Sequence, residues 1–182
     1  MRSDPALELL VVDGYNVIYG TPRYAALIDE PAGRRLGNDP FDRAREALVA
    51  DVAAFAARRY EPVVVFDGSG NVDPDRPDLT LAGVPTVFSA AGEQADAVIE
   101  RLVRAAREKG RPATVVTSDA TVQATVYGPG VTRVSSRMLA GEVDQIVSDN
   151  AAAVAERTHG RMTVEDRLDP ETLRRLNGLI GR

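Results

Sequence analysis

Hydrophobic residues along this chain fall into short blocks of two kinds, continuous runs and stripes of helical period. The first run lies in Leu7 to Asn16, LELLVVDGYN, and stops at Asp13 before the turn residue Gly14. A short apolar run closed by turn residues predicts a strand buried on both faces, as in the middle of a parallel sheet. The pattern returns in VVVFDG after Pro62, ending at Asp67, and again at Val84 to Ser89. It recurs at Thr114 to Ser118, ending in Asp119, and at Val131 to Val134.

Between these runs the period changes. Asp39–Pro40 predicts the N-cap and first residue of a helix reaching about Arg59, with Phe41, Ala44, Leu48, Val52 and Phe55 as its apolar stripe. A second helix, from about Gly92 to Lys109, carries Ala95, Val98, Ile99, Leu102, Val103 and Ala106. A short helix runs from Asp119 through Tyr127 and is broken by Gly128-Pro129-Gly130. A long one follows Ser135 to about Arg157, and Asp169–Pro170 announces a last helix ending near Ile180. Val17 to Asp39 and Gly68 to Gly83, rich in turn residues, are expected as exposed loops.

Strands alternating with helices predict an α/β fold: a mostly parallel sheet of about five strands with helices on both faces. Right-handed crossovers then bring every strand's carboxyl end to one edge, where open α/β sheets bind ligands. The expected organisation is one domain over residues 1–160, with residues 161–182 forming a C-terminal helix packed on or tethered to it.

Composition narrows the chemistry. Cysteine is absent and His159 is the only histidine, so thiol nucleophiles, thiolate metal sites and disulfides are excluded. No apolar run approaches the roughly 20 residues of a membrane span, and MRSDPALE lacks a signal-peptide core, so a cytoplasmic protein without membrane contact is expected. The net charge of −5 gives no overall basic footprint for nucleic acid. Lys109 is the only lysine, so the remaining basic residues are all arginine, among them Arg23, Arg34, Arg35 and Arg45 near the expected ligand edge.

Carboxylates gather at that edge. Asp13, Asp67 and Asp119 each end a strand run. Glu93, Asp96 and Glu100, three and four residues apart, share one helix face beside the apolar stripe. Glu93 and Asp96 also suit a helix N-terminus, and Glu100 has an i+4 partner in Arg104. Clustered carboxylates with no cysteine suit a hard cation, Mg2+ or Mn2+, which takes oxygen ligands and acidifies a bound water.

Five motifs carry a resemblance: DGYN, FDRAR with Arg45, VVVFDG, GEQADAVIERLV and TSDATVQ. In this order and spacing, from about Leu9 to Leu139, the chain resembles the NYN family of PIN-like nucleases, and within it the YacP-like branch, which includes ribosome-associated mRNA endonucleases. The resemblance implies a three-layer α/β/α fold and divalent-metal-dependent cleavage of RNA, with mRNA and the ribosome as partners and no DNA. It makes Asp13, Asp96 and Asp119 the catalytic metal-site acids, with Asn16 and Arg45 beside them and Glu93 and Ser118 as further supporting residues. The family's usual Thr-Ala-Asp is Gln94-Ala95-Asp96 here, and the loop from Thr21 to Asn38 is longer than usual.

Other readings fit worse. A haloacid-dehalogenase phosphatase built on Asp67 wants a second acid where Ser69 stands, and no strand is followed by G-x-G-x-x-G. The alternative to an enzyme is a non-catalytic PIN-like module binding RNA or the ribosome.

Overall fold

A computed structural model describes residues 7–29, 41–57, 59–68 and 79–160, with backbone alone for 79, 80 and 157–160. The chain forms β1 (Glu8–Asp13), α1 (Gly14–Gly20), α2 (Pro22–Asp29), α3 (Asp42–Ala56), β2 (Tyr60–Phe66) and β3 (Leu79–Leu81). It continues with β4 (Val84–Phe88), α4 (Ala95–Glu108), β5 (Ala113–Val116), α5 (Ala120–Thr125), β6 (Val131–Val134) and α6 (Ser136–Gly160). One sheet holds all six strands in the order β3-β4-β2-β1-β5-β6. The five expected strands are parallel, and only β3 runs antiparallel, against β4.

Strand alternation divides the core between two faces. Leu10 and Val12 of β1, with Val64 and Phe66 of β2, meet Val17, Ile18, Tyr24, Leu48 and Leu139 from α1, α2, α3 and α6. Leu9 and Val11, with Val63 and Val65, meet Val98, Ile99, Val103 and Val122 from α4 and α5. This is the three-layer α/β/α arrangement. Each fully buried aliphatic side chain contributes roughly 1.5–3 kcal/mol, so both faces hold the central strands firmly.

Two expected loops contain regular structure. Val17 to Asp39 is helical as far as Asp29, because Asp13 caps α1 and the apolar positions Val17, Ile18, Tyr24, Leu27 and Ile28 pack on the core. Gly68 to Gly83 contains β3, joined to β4 by the two-residue turn Ala82–Gly83, both at positive φ (49° and 79°). That is hairpin-turn geometry, with alanine where asparagine or glycine is usual. α4 begins at Ala95, so Glu93 precedes the helix instead of sharing its face. Residues 30–40, which include Asp39–Pro40, Arg34 and Arg35, and residues 161–182, with the expected last helix, lie outside the described residues.

By its internal contacts the chain divides into two compact units, Met1–Asp144 and Gln145–Arg182. The sheet and all the candidate residues belong to the first. No described helix is long and apolar enough to cross a membrane.

Candidate active site

β1 has β2 on one side and β5 on the other. The chain builds outward from β1 through β2 to β4, then crosses back by way of α4 to lay β5 on the opposite flank. The strand order therefore reverses at β1, and a crevice opens between the carboxyl ends of β1 and β5. Asp13, the last residue of β1, stands in it.

Two glycines let the chain turn sharply off this edge. A Cβ on Gly14 would come within 2.2 Å of the Phe66 ring, and one on Gly68 within 2.2 Å of the Ser89 carbonyl oxygen. The Asp-Gly pairs after β1 and β2 thus answer to close packing, which any larger residue would break.

Asp13 is only 8% exposed. Its Oδ1 accepts from the Asn16 backbone N–H at 3.3 Å, capping α1, and its Oδ2 accepts from Thr117 Oγ1 at 3.0 Å. Burial pushes its pKa up to about 6. The two hydrogen bonds oppose that shift, and the charges of Asp96 and Asp119 add to it.

Thr117 was not singled out by the sequence, yet it links two of the candidate acids. Its hydroxyl donates to Asp13 and accepts from the Asp119 N–H at 3.1 Å. Gln123 Nε2 donates to its carbonyl at 2.8 Å. The only signal available was position, a hydroxyl residue two before a strand-end aspartate.

Asp119 caps α5, accepting from Thr121 N at 2.7 Å and Val122 N at 3.4 Å. Asp96 lies in the first turn of α4, and its carboxyl is raised by burial, then by the charges of Asp119 and Asp67. Asp67 Oδ2 accepts from the N–H of Ala95, the first residue of α4, at 3.4 Å. The fold thus brings Asp13, Asp67, Asp96 and Asp119 into one electrostatic neighbourhood.

Asn16 and Ser118 form a clasp. Asn16 Oδ1 accepts from the Ser118 N–H at 2.7 Å and from Ser136 Oγ at 2.9 Å, while Ser118 Oγ accepts from the Ser136 N–H at 3.1 Å. These bonds tie the start of α1 to the end of β5 and the start of α6.

Other expected residues stand apart. Glu93 is held by Arg101 at 2.5 Å, which keeps its carboxyl below the usual range, and it is not among the charges acting on Asp13 or Asp96. Glu100 pairs with Arg104 at 2.8 Å. Arg45 is 3% exposed; it donates to Tyr15 Oη at 2.6 Å and Asp42 Oδ1 at 2.9 Å, and lies against the rings of Tyr15, Phe41, Phe66 and Phe88. Arg23, expected beside a substrate, instead ties α2 to Asp51 of α3 and, at 2.7 Å, to Asp144 of α6.

A divalent cation would meet oxygen donors alone in this neighbourhood. Its donors, Asp13, Asp67, Asp96 and Asp119, are all carboxylates, and burial, with neighbouring negative charge adding to it, makes Asp13 and Asp96 bind protons more readily than usual. That is the donor chemistry of a hard cation. Among the described residues, however, no three such groups are close enough to ligate one ion together. The set fits an ion such as Mg2+ that keeps several of its waters.

Residues 10–180 match the YacP-like NYN domain. The "Uncharacterized protein YacP" of Bacillus subtilis (strain 168) is 30% identical over 140 residues, 77% of each chain. A crystal structure of Rae1 (YacP) from Bacillus subtilis superposes with a TM-score of 0.68 at 27% identity, covering 94% of this chain and 93% of that one. A second crystal structure, of a mutant of the same protein, gives a TM-score of 0.64 at 25% identity, covering 95% and 99%.

Proposed function

The chain belongs to the YacP-like NYN domain family, a family of PIN-like nuclease domains, and from that membership we propose that it is a divalent-metal-dependent endoribonuclease acting on mRNA at the ribosome. The observation that carries the reading is the buried Asp13 in the β1–β5 crevice, its proton affinity raised by burial and by two neighbouring aspartates. Such a cluster is costly for a structural role alone and repels a phosphodiester unless a cation offsets it.

In this reading Mg2+ or Mn2+ would sit among Asp13, Asp96 and Asp119, held by some of them directly and by the others through its own waters, since no three lie close enough to ligate it together. The bound cation supplies a more acidic water and neutralises charge developing on the phosphoryl group. The chain's own groups set the geometry. Thr117 and the Asn16 N–H fix the Asp13 carboxylate in one orientation. Asn16 Oδ1 is committed to Ser118 and Ser136, so its NH2 is the part left to donate to a phosphate oxygen. Arg45 acts at a distance, holding Tyr15 at the start of α1.

The test is incubation of the purified protein with translating ribosomes in Mn2+ or EDTA, followed by mapping of new RNA 5′ ends. New ends are expected with Mn2+, and none with EDTA or with Asp13→Asn. RNA binding without new ends under either condition would establish the non-catalytic binding module instead.

A further inference from the structure

RNA at the acidic edge needs something to hold it, and several of the chain's arginines are committed elsewhere. Arg23 is tied to Asp51 and Asp144, Arg101 to Glu93, and Arg45 is buried among rings. Two side chains beside the Asn16–Ser118 clasp remain open to solvent. Tyr19, on α1 three residues beyond Asn16, is 64% exposed. Its ring lies edge-on to Phe41 at 6.1 Å and tilted against Tyr15 at 6.4 Å between centroids. Arg137 follows Ser136, whose hydroxyl donates to Asn16, and it is exposed with no ion pair among the described residues. The Asn16–Ser136 bond therefore joins the two elements that present an exposed ring and an exposed guanidinium without an ion pair among the described residues.

We propose that Tyr19 and Arg137 form a subsite for single-stranded RNA, Tyr19 stacking on an unpaired base and Arg137 contacting a backbone phosphate. The proposal rests on the endoribonuclease reading and deepens it. An aromatic face accepts any base, because each has a π-face, and a guanidinium matches two phosphate oxygens at once. At 1.5 Å per helical residue, Tyr19 lies about 9 Å along α1 from Asp13. That separation suits a nucleotide neighbouring the one at the acids. The paired bases of a duplex leave no face for Tyr19, so the subsite selects unpaired RNA.

The experiment uses the full chain in the Asp13→Asn background with Mg2+ and a single-stranded RNA carrying 2-aminopurine, whose fluorescence falls on stacking. Binding is followed across a salt series, and cleavage by the otherwise wild-type chain is measured in parallel with Mn2+. Tyr19→Ala and Tyr19→Leu are each expected to weaken binding about tenfold and to abolish the quenching, whereas Tyr19→Phe retains both. Arg137→Ala is expected to weaken binding and to flatten the slope of log K against log salt by about 0.7. Binding of the same RNA as a duplex should not respond to Tyr19. Both side chains are exposed, so melting temperatures should hold, which separates these effects from unfolding. If the wild type cleaves but Tyr19→Leu binds and quenches as before, or Arg137→Ala leaves the salt slope unchanged, the subsite is overturned and the nuclease reading stands. If the wild type neither binds nor cleaves this RNA and also yields no new 5′ ends on translating ribosomes with Mn2+, both fall together.

Discussion

Asp13 keeps its proton to about pH 6 in the folded chain, against 3.8 for an ordinary aspartate. Between those values the folded state binds the extra proton, so this group's contribution to stability falls as pH rises from about 4 to 6 and stays lost above. The loss is on the order of 2–3 kcal/mol. Metal-free melts of wild type and Asp13→Asn across that range should show the wild type losing ground to the variant as pH rises; parallel curves would contradict the assigned burial. Near neutral pH, Mn2+ should raise the wild-type melting temperature and leave Asp13→Asn unmoved, since a ligand stabilises only the state it binds. The variant should also lose RNA cleavage while keeping its fold, because the amide nearly preserves shape. Gly68→Ala is a harsher change: its Cβ meets the Ser89 carbonyl, which belongs to the backbone and has nowhere to go. Chain that accumulates as soluble, folded protein with that substitution would disprove the close approach.

At the scale of elements, Arg45 of α3 serves as a pillar. It is the cation inside a box of Tyr15, Phe41, Phe66 and Phe88, with Asp42 as its counter-charge. Arg45→Met removes that charge but keeps the stem, and is expected to lower stability by about 3 kcal/mol, or the melting temperature by roughly 6–12 °C. A fall in kcat with an unchanged melting temperature would give Arg45 a direct part in the chemistry instead. The parallel strands were legible because burial on both faces leaves continuous apolar runs, and the site edge followed from where those runs end. α1 and α2 were hidden by polar composition, although Tyr24, Leu27 and Ile28 kept the helical period, and the Asp13 cap reads equally well as a turn. β3 is three residues long and its turn carries Ala82, so neither length nor turn chemistry announced a hairpin. Within the site, the strand-end aspartates could be placed from sequence. Which residues join them could not, because Thr117 to Asp13 and Ser136 to Asn16 are bonds across more than a hundred residues.

At the scale of the molecule, a net charge of −5 and an acidic candidate edge work against free RNA, whose affinity for proteins comes largely from phosphate neutralisation. Cleavage of one mRNA is therefore expected to be faster on ribosomes than in solution at equal salt and metal, and equal rapid rates would refute presentation by the ribosome. The sheet order has a further consequence in time. β1 pairs with β5 from Leu9↔Ala113 onward, so the central strand waits for a partner about a hundred residues downstream. Closing so long a loop is entropically slow, and pairings of this kind form late. Asp13 leaves the ribosome early in synthesis, but Thr117 and Asp119 must follow before the crevice between the strands exists. A nascent chain stopped before β5 has one flank of the crevice and no second acid across it. Such a chain has no assembled site while it is still attached to the ribosome that is making it.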